Sequence, residues 1–535
     1  MDHTPFFPEW HPRLAPMGKR LEPASQPLKS LTLSQLEDRF APAMPADLFL
    51  KASSKANSRD RIFTQGRTFW CFLWQCLTPL SSCRKVALQI QALFELHDEG
   101  DVSENDAAYC RARKRLPTKG LQEGLSASAR EADRRAPASD LLRGRPLKVV
   151  DGGMVNLPDT KANRKKFPKS KCQQMNSGFP LMRLVVIFSL ASGAILSMLE
   201  GNLHTAEQRL FYLLMDTLKE GDIMIGDQGF GNYIALTLLQ AIGVDFIARS
   251  ARKVDGRRAQ KRLGPNDWLV AWKKGPRPSP IMTLARWLRL PPQVTVRIVR
   301  GSLYQKGFRV KGVTLVTTLL DPVLYPKAEI LRAYLRRWRL EMCLDDVKTT
   351  MGMHTLRCKS PAMVVKEALA YLTAHNLIRW LMVQAAREHS VDLDHISFKG
   401  TVDAFREFSQ AMAQARSRRK RQTLWAKLLR TLAGDLLPQR PGRREPRAVK
   451  LQKNKYPRLN KPRHRFHDRP KRNERRKKAR LRKLGLKKGP FPLQGACNFK
   501  TRYRGYRRGA PQPPYTFWNV SGVLDQNGCY LIVCE

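Results

Sequence analysis

The sequence predicts an α/β fold with a mixed sheet, preceded by a helical region and followed by helices and a basic tail. Two observations carry this. Short apolar, β-branched segments bounded by turn signals recur between residues 145 and 250, with one helical stretch among them. Before and after that region, apolar residues recur at helical spacing instead.

Residues 1–30 read as a loose, proline-rich leader with no apolar signal-peptide core. Residues 31–142 read as helical, through "LSQLEDRF", "RTFWCFLWQCL" and "KVALQIQALFELHDEG". In "SENDAAYCRARKRLP", Ser103 is the expected N-cap, and basic residues fill the last turn before Pro117. Arg111, Lys114 and Arg115 on that helix either touch a phosphate backbone or are simply a solvated helix end.

The strands expected next are "LKVVDG", "MRLVVIFSL", "AILSMLEG", "DIMIGDQGF" and "VDFIARS", with the helix "HTAEQRLFYLLMDTL" between the third and fourth. The longest apolar run, residues 184–199, is too short for a normal membrane span and carries Ser-Gly near its middle, so it reads as two strands and a turn. Residues 252–325 read as a β-rich insertion within a core spanning 145–385. Helix resumes at Lys327 and continues, with breaks, through a C-terminal helical region at 386–438. Residues 439–535 form a basic, largely disordered tail in this reading.

Charge narrows the partner. Lys and Arg number 97 against 45 acids, a formal net charge of +52. Such an excess opposes compaction and favours a polyanion, DNA or RNA above all, because neutralised phosphates release counterions. No lipidation signal or amphipathic anchor supports a membrane surface instead. The ten cysteines include no C-x-x-C pair, so no zinc site or disulfide framework is expected, and unpaired thiols suit a reducing cytoplasm.

The chemistry gathers around "YLRRWRLEMCLDDVKTT", residues 334–350. On a continuous helix at about 100° per residue, Arg337, Glu341 and Lys348 all fall within about 60° of Tyr334. Arg332, Arg336, Arg339 and Asp346 form a second polar face, with apolar residues between the two. Two polar faces suggest that one meets solvent and the other lines a groove. The alternative is a solvated helix with a routine Arg337–Glu341 ion pair. Upstream, Asp151 follows the apolar run "LKVV" and Asp227 follows "DIMIG", each at or near the C-terminal end of an expected buried strand. Sheets of this class place ligand groups there, although aspartate is also a common turn residue. Three converging carboxylates need cations to stay ionised together. Two Mg²⁺ ions would answer that need and suit phosphodiester chemistry, with Tyr334, Arg337 and Lys348 holding phosphates.

Tyr334, Arg337, Glu341 and Lys348 spell Y-x2-R-x3-E-x6-K, which resembles the YREK signature of the insertion-sequence-four family of DDE transposases. "VVDGGMVNLPDT" and "GDIMIGDQGFGNY" resemble that family's two aspartate segments, and "NSGFPLMRLVVIFSLASGAI" its intervening hairpin. "RDRIFTQGRTFWCFLWQCL" and "AAYCRARKRLP" resemble its N-terminal helices; the likeness covers about residues 35–466. The resemblance implies a ribonuclease-H-like catalytic core with the β-rich insertion, an all-α DNA-binding region ahead of it, and Asp151, Asp227 and Glu341 as catalytic, metal-binding residues. It implies cut-and-paste transposition by a homodimer on the element's terminal inverted repeats, with strand transfer into target DNA. Two Mg²⁺ ions would serve, with Mn²⁺ as a substitute, in the bacterial cytoplasm at the nucleoid. Arg249 joins Tyr334, Arg337 and Lys348 as an expected DNA contact. Two alternatives stand beside this: a non-catalytic DNA-binding remnant, and a nuclease on the same core without strand transfer. Gly153 and Gln228 depart from the family pattern, which often has Ser or Thr at the first position and a basic residue at the second. Asp345 is expected to pair with Lys348 or Arg337, Asp222 to be a turn residue, and His204 and His354 to hold no metal. The tail beyond Phe466 reads as a DNA-binding arm or, preferably, as translated sequence past the ancestral gene end.

Overall fold

The computed structural model describes residues 40–45, 48, 62–78, 81–96, 102–137, 141–169, 178–250, 259–276, 281–302, 312–415, 417–438, 522–524 and 530–532. The leader and the basic stretch 439–485 lie outside the described residues. The described residues up to 438 belong to one compact unit; a second, residues 464–535, is described only as an antiparallel hairpin, Gly522–Leu524 with Tyr530–Ile532.

Among the described residues, four α-helices precede the first strand: α1 (Gln65–Leu77), α2 (Cys83–Leu96), α3 (Ala107–Arg115) and α4 (Thr118–Arg135). Helix α1 starts where Thr64 accepts from the Arg67 amide, and its apolar run buries Phe69, Phe72, Leu73 and Leu77. The expected N-cap at Ser103 is corrected. Ser103 instead accepts from the Asn105 amide, Asn105 Oδ1 accepts from the Ala107 amide, and α3 begins four residues later than Ser103. Two successive short side chains thus turn the chain before the helix can start.

The sheet has nine strands in the order β3-β2-β1-β4-β5-β9-β8-β7-β6. Strands β1 (Leu147–Asn156), β2 (Leu181–Ser189) and β3 (Ile195–Gly201) form an antiparallel meander. Helix α5 (Lys161–Lys166) lies in the β1–β2 connection. After helix α6 (Glu207–Leu214), β4 (Ile223–Gly226) pairs parallel to β1; after helix α7 (Tyr233–Gln240), β5 (Asp245–Arg249) pairs parallel to β4. All five strands match the expected segments. The expected insertion supplies β6 (Lys261–Gly264), β7 (Asp267–Lys273), a short helix α8 (Leu284–Leu288), β8 (Gln293–Gly301) and β9 (Val313–Thr317). These strands extend the same sheet, because β9 pairs antiparallel with β5.

The expected continuous helix over 334–350 is broken in two places. Helix α9 (Lys327–Leu335) ends at a turn, α10 (Trp338–Asp345) follows, and a π-turn covers Asp346–Thr350. Helix α11 (Pro361–His389) runs through the expected boundary at 385/386 and is buried along most of its length. Its Asn376 amide donates to the carbonyls of Leu125 and Ile195 and accepts from the Ile195 amide at 2.7 Å, tying α4 to the edge strand β3. Helices α12 (Phe398–Gln414) and α13 (Arg418–Gly434) are the last described helices of the unit.

Candidate active site

The register of the two central parallel strands sets the site. Val149 of β1 is the last residue paired to β4, opposite Ile225. Asp151 and Asp227 each lie two residues beyond that pair, so both residues come to the same level just past the end of the β1–β4 pairing. Asp151 was expected at the strand's end; β1 in fact continues to Asn156, held past Val149 by β2 alone. Asp227 Oδ1 accepts from the amides of Gly229 (2.7 Å) and Phe230 (3.2 Å), which fixes the turn leaving β4. It is both the turn residue and the candidate ligand. Gly231 is required in that turn because a Cβ there would sit 2.7 Å from the Arg249 carbonyl.

Alternation along β1 assigns the two faces of the sheet. A Cβ on Gly152 would meet the Glu207 carboxylate of α6 at 2.6 Å, whereas one on Gly153 would meet Lys348 Nζ at 2.5 Å. Gly153 shares its face with Asp151, so the Lys348 ammonium is on the aspartate's side. The departure at Gly153 therefore leaves room that the Lys348 side chain fills. The π-turn that carries Lys348 is stitched onto β1: the His354 amide donates to the Lys348 carbonyl at 3.1 Å, and Asn156 donates to the His354 carbonyl at 3.0 Å. Leu356 returns a bond to the Asn156 carbonyl at 3.0 Å. His354 and Asn156 thus position Lys348, a role with no sequence signal beyond proximity to the signature.

Arg337 joins the elements. Its Nη2 donates to Glu341 Oε1 at 3.0 Å, and its guanidinium lies over the Tyr334 ring, 5.8 Å from the centroid. Burial works against its charge, but Tyr334, Glu341 and Asp151 outweigh that and raise its pKa. Asp151 is pushed up to about 6 by burial; the Gly152 amide, Arg337 and Lys348 oppose the rise and Asp227 adds to it. Burial also raises the Tyr334 phenol, with Arg337 and Arg249 lowering it and Asp227 raising it. Electrostatically, then, all seven expected residues form one group: Asp151, Asp227, Arg249, Tyr334, Arg337, Glu341 and Lys348.

The three acids do not close into a tight cluster. Among the described residues, the one set of three ligand-bearing side chains with atoms mutually within 4.8 Å is Cys83, Asp106 and Cys110. Glu341 is turned to Arg337, an arrangement that limits repulsion between carboxylates. Two further expectations change. Asp345 accepts from Thr349 Oγ1 at 2.7 Å instead of pairing with Lys348 or Arg337. On the second polar face, Arg339 is paired with Asp394, and Asp346 is half-buried near Arg379. Asp222 is the turn residue expected, accepting from the Lys219 amide at 2.9 Å.

The donor set suits a hard cation: carboxylate oxygens just past the last β1–β4 pair, one of them kept from ionising readily by burial. Arg337, Lys348, Arg249 and the Tyr334 hydroxyl surround these acids with groups that bind phosphate oxygens.

A family model described as a transposase DDE domain matches residues 142–377, which contain all seven residues. The transposase InsG for insertion sequence element IS4 of Escherichia coli (strain K12) is 27% identical over 363 residues, covering 66% of this chain and 78% of that protein. A cryo-EM structure of the piggyBac transposase synaptic complex with hairpin DNA aligns over 73% of this chain and 83% of that one, at 8% identity and a TM-score of 0.35.

Proposed function

We propose that this chain is a DDE transposase of the IS4 kind, an enzyme of DNA cleavage and strand transfer, with Asp151, Asp227 and Glu341 as its catalytic triad. The observation that carries the assignment is the shared level of Asp151 and Asp227 beyond the Val149–Ile225 pair, with Arg337 linking Asp151 to Glu341.

Enzymes of this family use divalent metal ions; here the three carboxylates would hold two Mg²⁺, with Mn²⁺ as a substitute. Such ions activate an attacking hydroxyl and stabilise the leaving oxygen of a phosphodiester. The chain's own residues do the rest. Arg337 presents a planar fork to a backbone phosphate while orienting Glu341. Lys348, beside β1, adds a point charge on the aspartate side of the sheet. The Tyr334 hydroxyl and Arg249 extend the phosphate-holding surface past Asp227. Exchange of Glu341 from Arg337 to the cation side would complete the triad as phosphate takes over the guanidinium.

The antiparallel β1-β2-β3 meander followed by parallel β4 and β5 supports a ribonuclease-H-like core over 145–385, with 252–325 inserted. The helices within 31–142 are proposed to bind DNA, and 386–438 to form a C-terminal helical region. The DNA substrates are the element's terminal inverted repeats and a target duplex, handled by a homodimer in the bacterial cytoplasm. Among the described residues no helix is long and apolar enough to cross a membrane.

The test is cleavage of DNA carrying the element's ends, with Mg²⁺ or EDTA, by wild type and Glu341→Gln. Metal-dependent cutting at the ends, lost in a variant that still binds DNA, supports the assignment. Cutting by Glu341→Gln at the wild-type rate would remove Glu341 from the triad.

A further inference from the structure

Away from the candidate active site, three ligand-bearing side chains converge in the N-terminal helices. Cys83 is the first residue of α2, Asp106 immediately precedes α3, and Cys110 lies one turn into α3. One atom from each lies within 4.8 Å of the others, and all three residues are partly exposed. From these we infer a zinc site, formed by Cys83 Sγ, Cys110 Sγ and an Asp106 carboxylate oxygen, that joins the first turns of α2 and α3.

The local structure leaves these groups available for the role. Asp106 occupies the N-cap position of α3, yet its side chain makes no capping bond. The Ala107 amide is taken by Asn105 Oδ1 at 2.9 Å. The Asp106 carboxylate is therefore turned to the sulfurs instead of to the helix it precedes. Asp106 and Cys110 are four apart, so they share a helix face. Both helix N-termini favour anionic ligands there.

Neighbouring donors are directed at sulfur. Arg113 Nη2 lies 2.8 Å from Cys83 Sγ and 4.0 Å from Cys110 Sγ, and Gln75 Nε2 lies 3.8 Å from Cys83 Sγ. Arg113 cannot easily move away. It packs against the Phe72 and Tyr109 rings, 5.0 Å from each centroid, and bonds to Gln75 Oε1 at 3.3 Å. Such N–H donors to ligand sulfur are the outer-shell partners that thiolate metal sites require.

Charge and geometry both fit Zn²⁺. Two thiolates and a carboxylate leave the loaded site with one net negative charge, which Arg113 matches. Tetrahedral bonds of about 2.3 Å to sulfur put two ligating sulfurs about 3.8 Å apart, a small contraction within the observed limit. Three protein ligands leave the fourth position to water. Binding releases the two thiol protons to solvent.

The test uses the full-length chain, reduced and metal-free, titrated with Zn²⁺ and separately with Co²⁺. One Zn²⁺ per chain and a sulfur-to-cobalt charge-transfer absorption are expected; hard-cation binding at the carboxylates of the candidate active site gives no such absorption. Cys83→Ser and Cys110→Ser should each weaken zinc more than about a hundredfold, and Asp106→Asn about tenfold, with helical circular dichroism unchanged. Absence of the sulfur–cobalt absorption in the reduced wild type overturns the site. So does its persistence in both serine variants. Should a serine variant fail to fold, Asp106→Asn and Arg113→Gln carry the comparison, and wild-type affinity in both would count against the inference. Spontaneous loss of two titratable thiols in air, with no zinc uptake after reduction, would make the pair a disulfide instead.

Discussion

Arg337 Nη2 holds Glu341 Oε1 at 3.0 Å across one helical turn, and the same guanidinium acts on Asp151 of the neighbouring strand. One cation thus balances an acid on a helix and an acid on the sheet. Arg337→Ala should lower single-turnover cleavage about a hundredfold and reduce the salt slope of DNA binding by about one. Arg337→Lys should recover little, because an ammonium cannot present the planar fork. Wild-type cleavage by Arg337→Ala would separate this residue from the chemistry.

Lys348 Nζ occupies the space in front of Gly153, 2.5 Å from where a Cβ would be. The ammonium is the end of a flexible chain, so a larger residue at 153 should displace it without unfolding β1. Gly153→Val is expected to weaken binding to duplex DNA by about as much as Lys348→Ala. Combining the two should add almost nothing, since both remove the same contact. Binding isotherms for the two single variants and the double decide this; additive losses would mean that Gly153 acts elsewhere.

The strands were legible because each is a short apolar run closed by a turn signal, and both aspartates were legible as the polar residues that follow such runs. Their equal level was not, because register between β1 and β4 depends on pairing across 76 residues that no local pattern encodes. The signature spacing pointed to a common face, but on a continuous helix that does not exist. The chain turns at Arg336 and Arg337 and then loosens into a π-turn, so Lys348 reaches Gly153 through backbone bonds to His354. Asp345 was misassigned because Thr349, four residues on and on the same face, offers it a hydroxyl. The cysteine set escaped notice because its members come from two helices and share no C-x-x-C spacing.

Asp346, on the side of that segment away from the signature, is pushed up to about 7, chiefly by burial; Arg379 opposes the rise and Asp345 adds to it. The native protein keeps this proton up to about pH 7, whereas the unfolded chain loses it near the ordinary aspartate value of 3.8. The group therefore favours the folded state fully below pH 4, and its contribution is lost as pH rises to 7. Asp346→Asn should stabilise the protein at pH 8, by about 4 kcal/mol at most, and change little at pH 4. Urea unfolding at the two pH values measures the difference; an equal effect at both would assign it to packing alone.

Arg297 on β8 is fully buried and pairs with Asp267 of β7 through two bonds, of 2.8 and 2.6 Å. Its remaining nitrogen donates to the carbonyls of Leu319 (3.3 Å), Asp321 (3.2 Å) and Tyr325 (2.8 Å). Those carbonyls belong to the segment that leads from β9 into α9, the helix that carries Tyr334. The pair therefore anchors the inserted strands to the approach of the signature helices. Asp267→Asn leaves a buried guanidinium without its counter-charge and should cost about 3–5 kcal/mol. Replacing both partners together, Asp267→Leu with Arg297→Met, should restore much of that stability, because no buried charge remains. Cleavage should stay impaired in the double variant, since the three carbonyls then lose the donor that fixes the path into α9. Chemical unfolding and end cleavage on the same preparations test both halves. Full recovery of activity along with stability would show that the pair contributes only to the core.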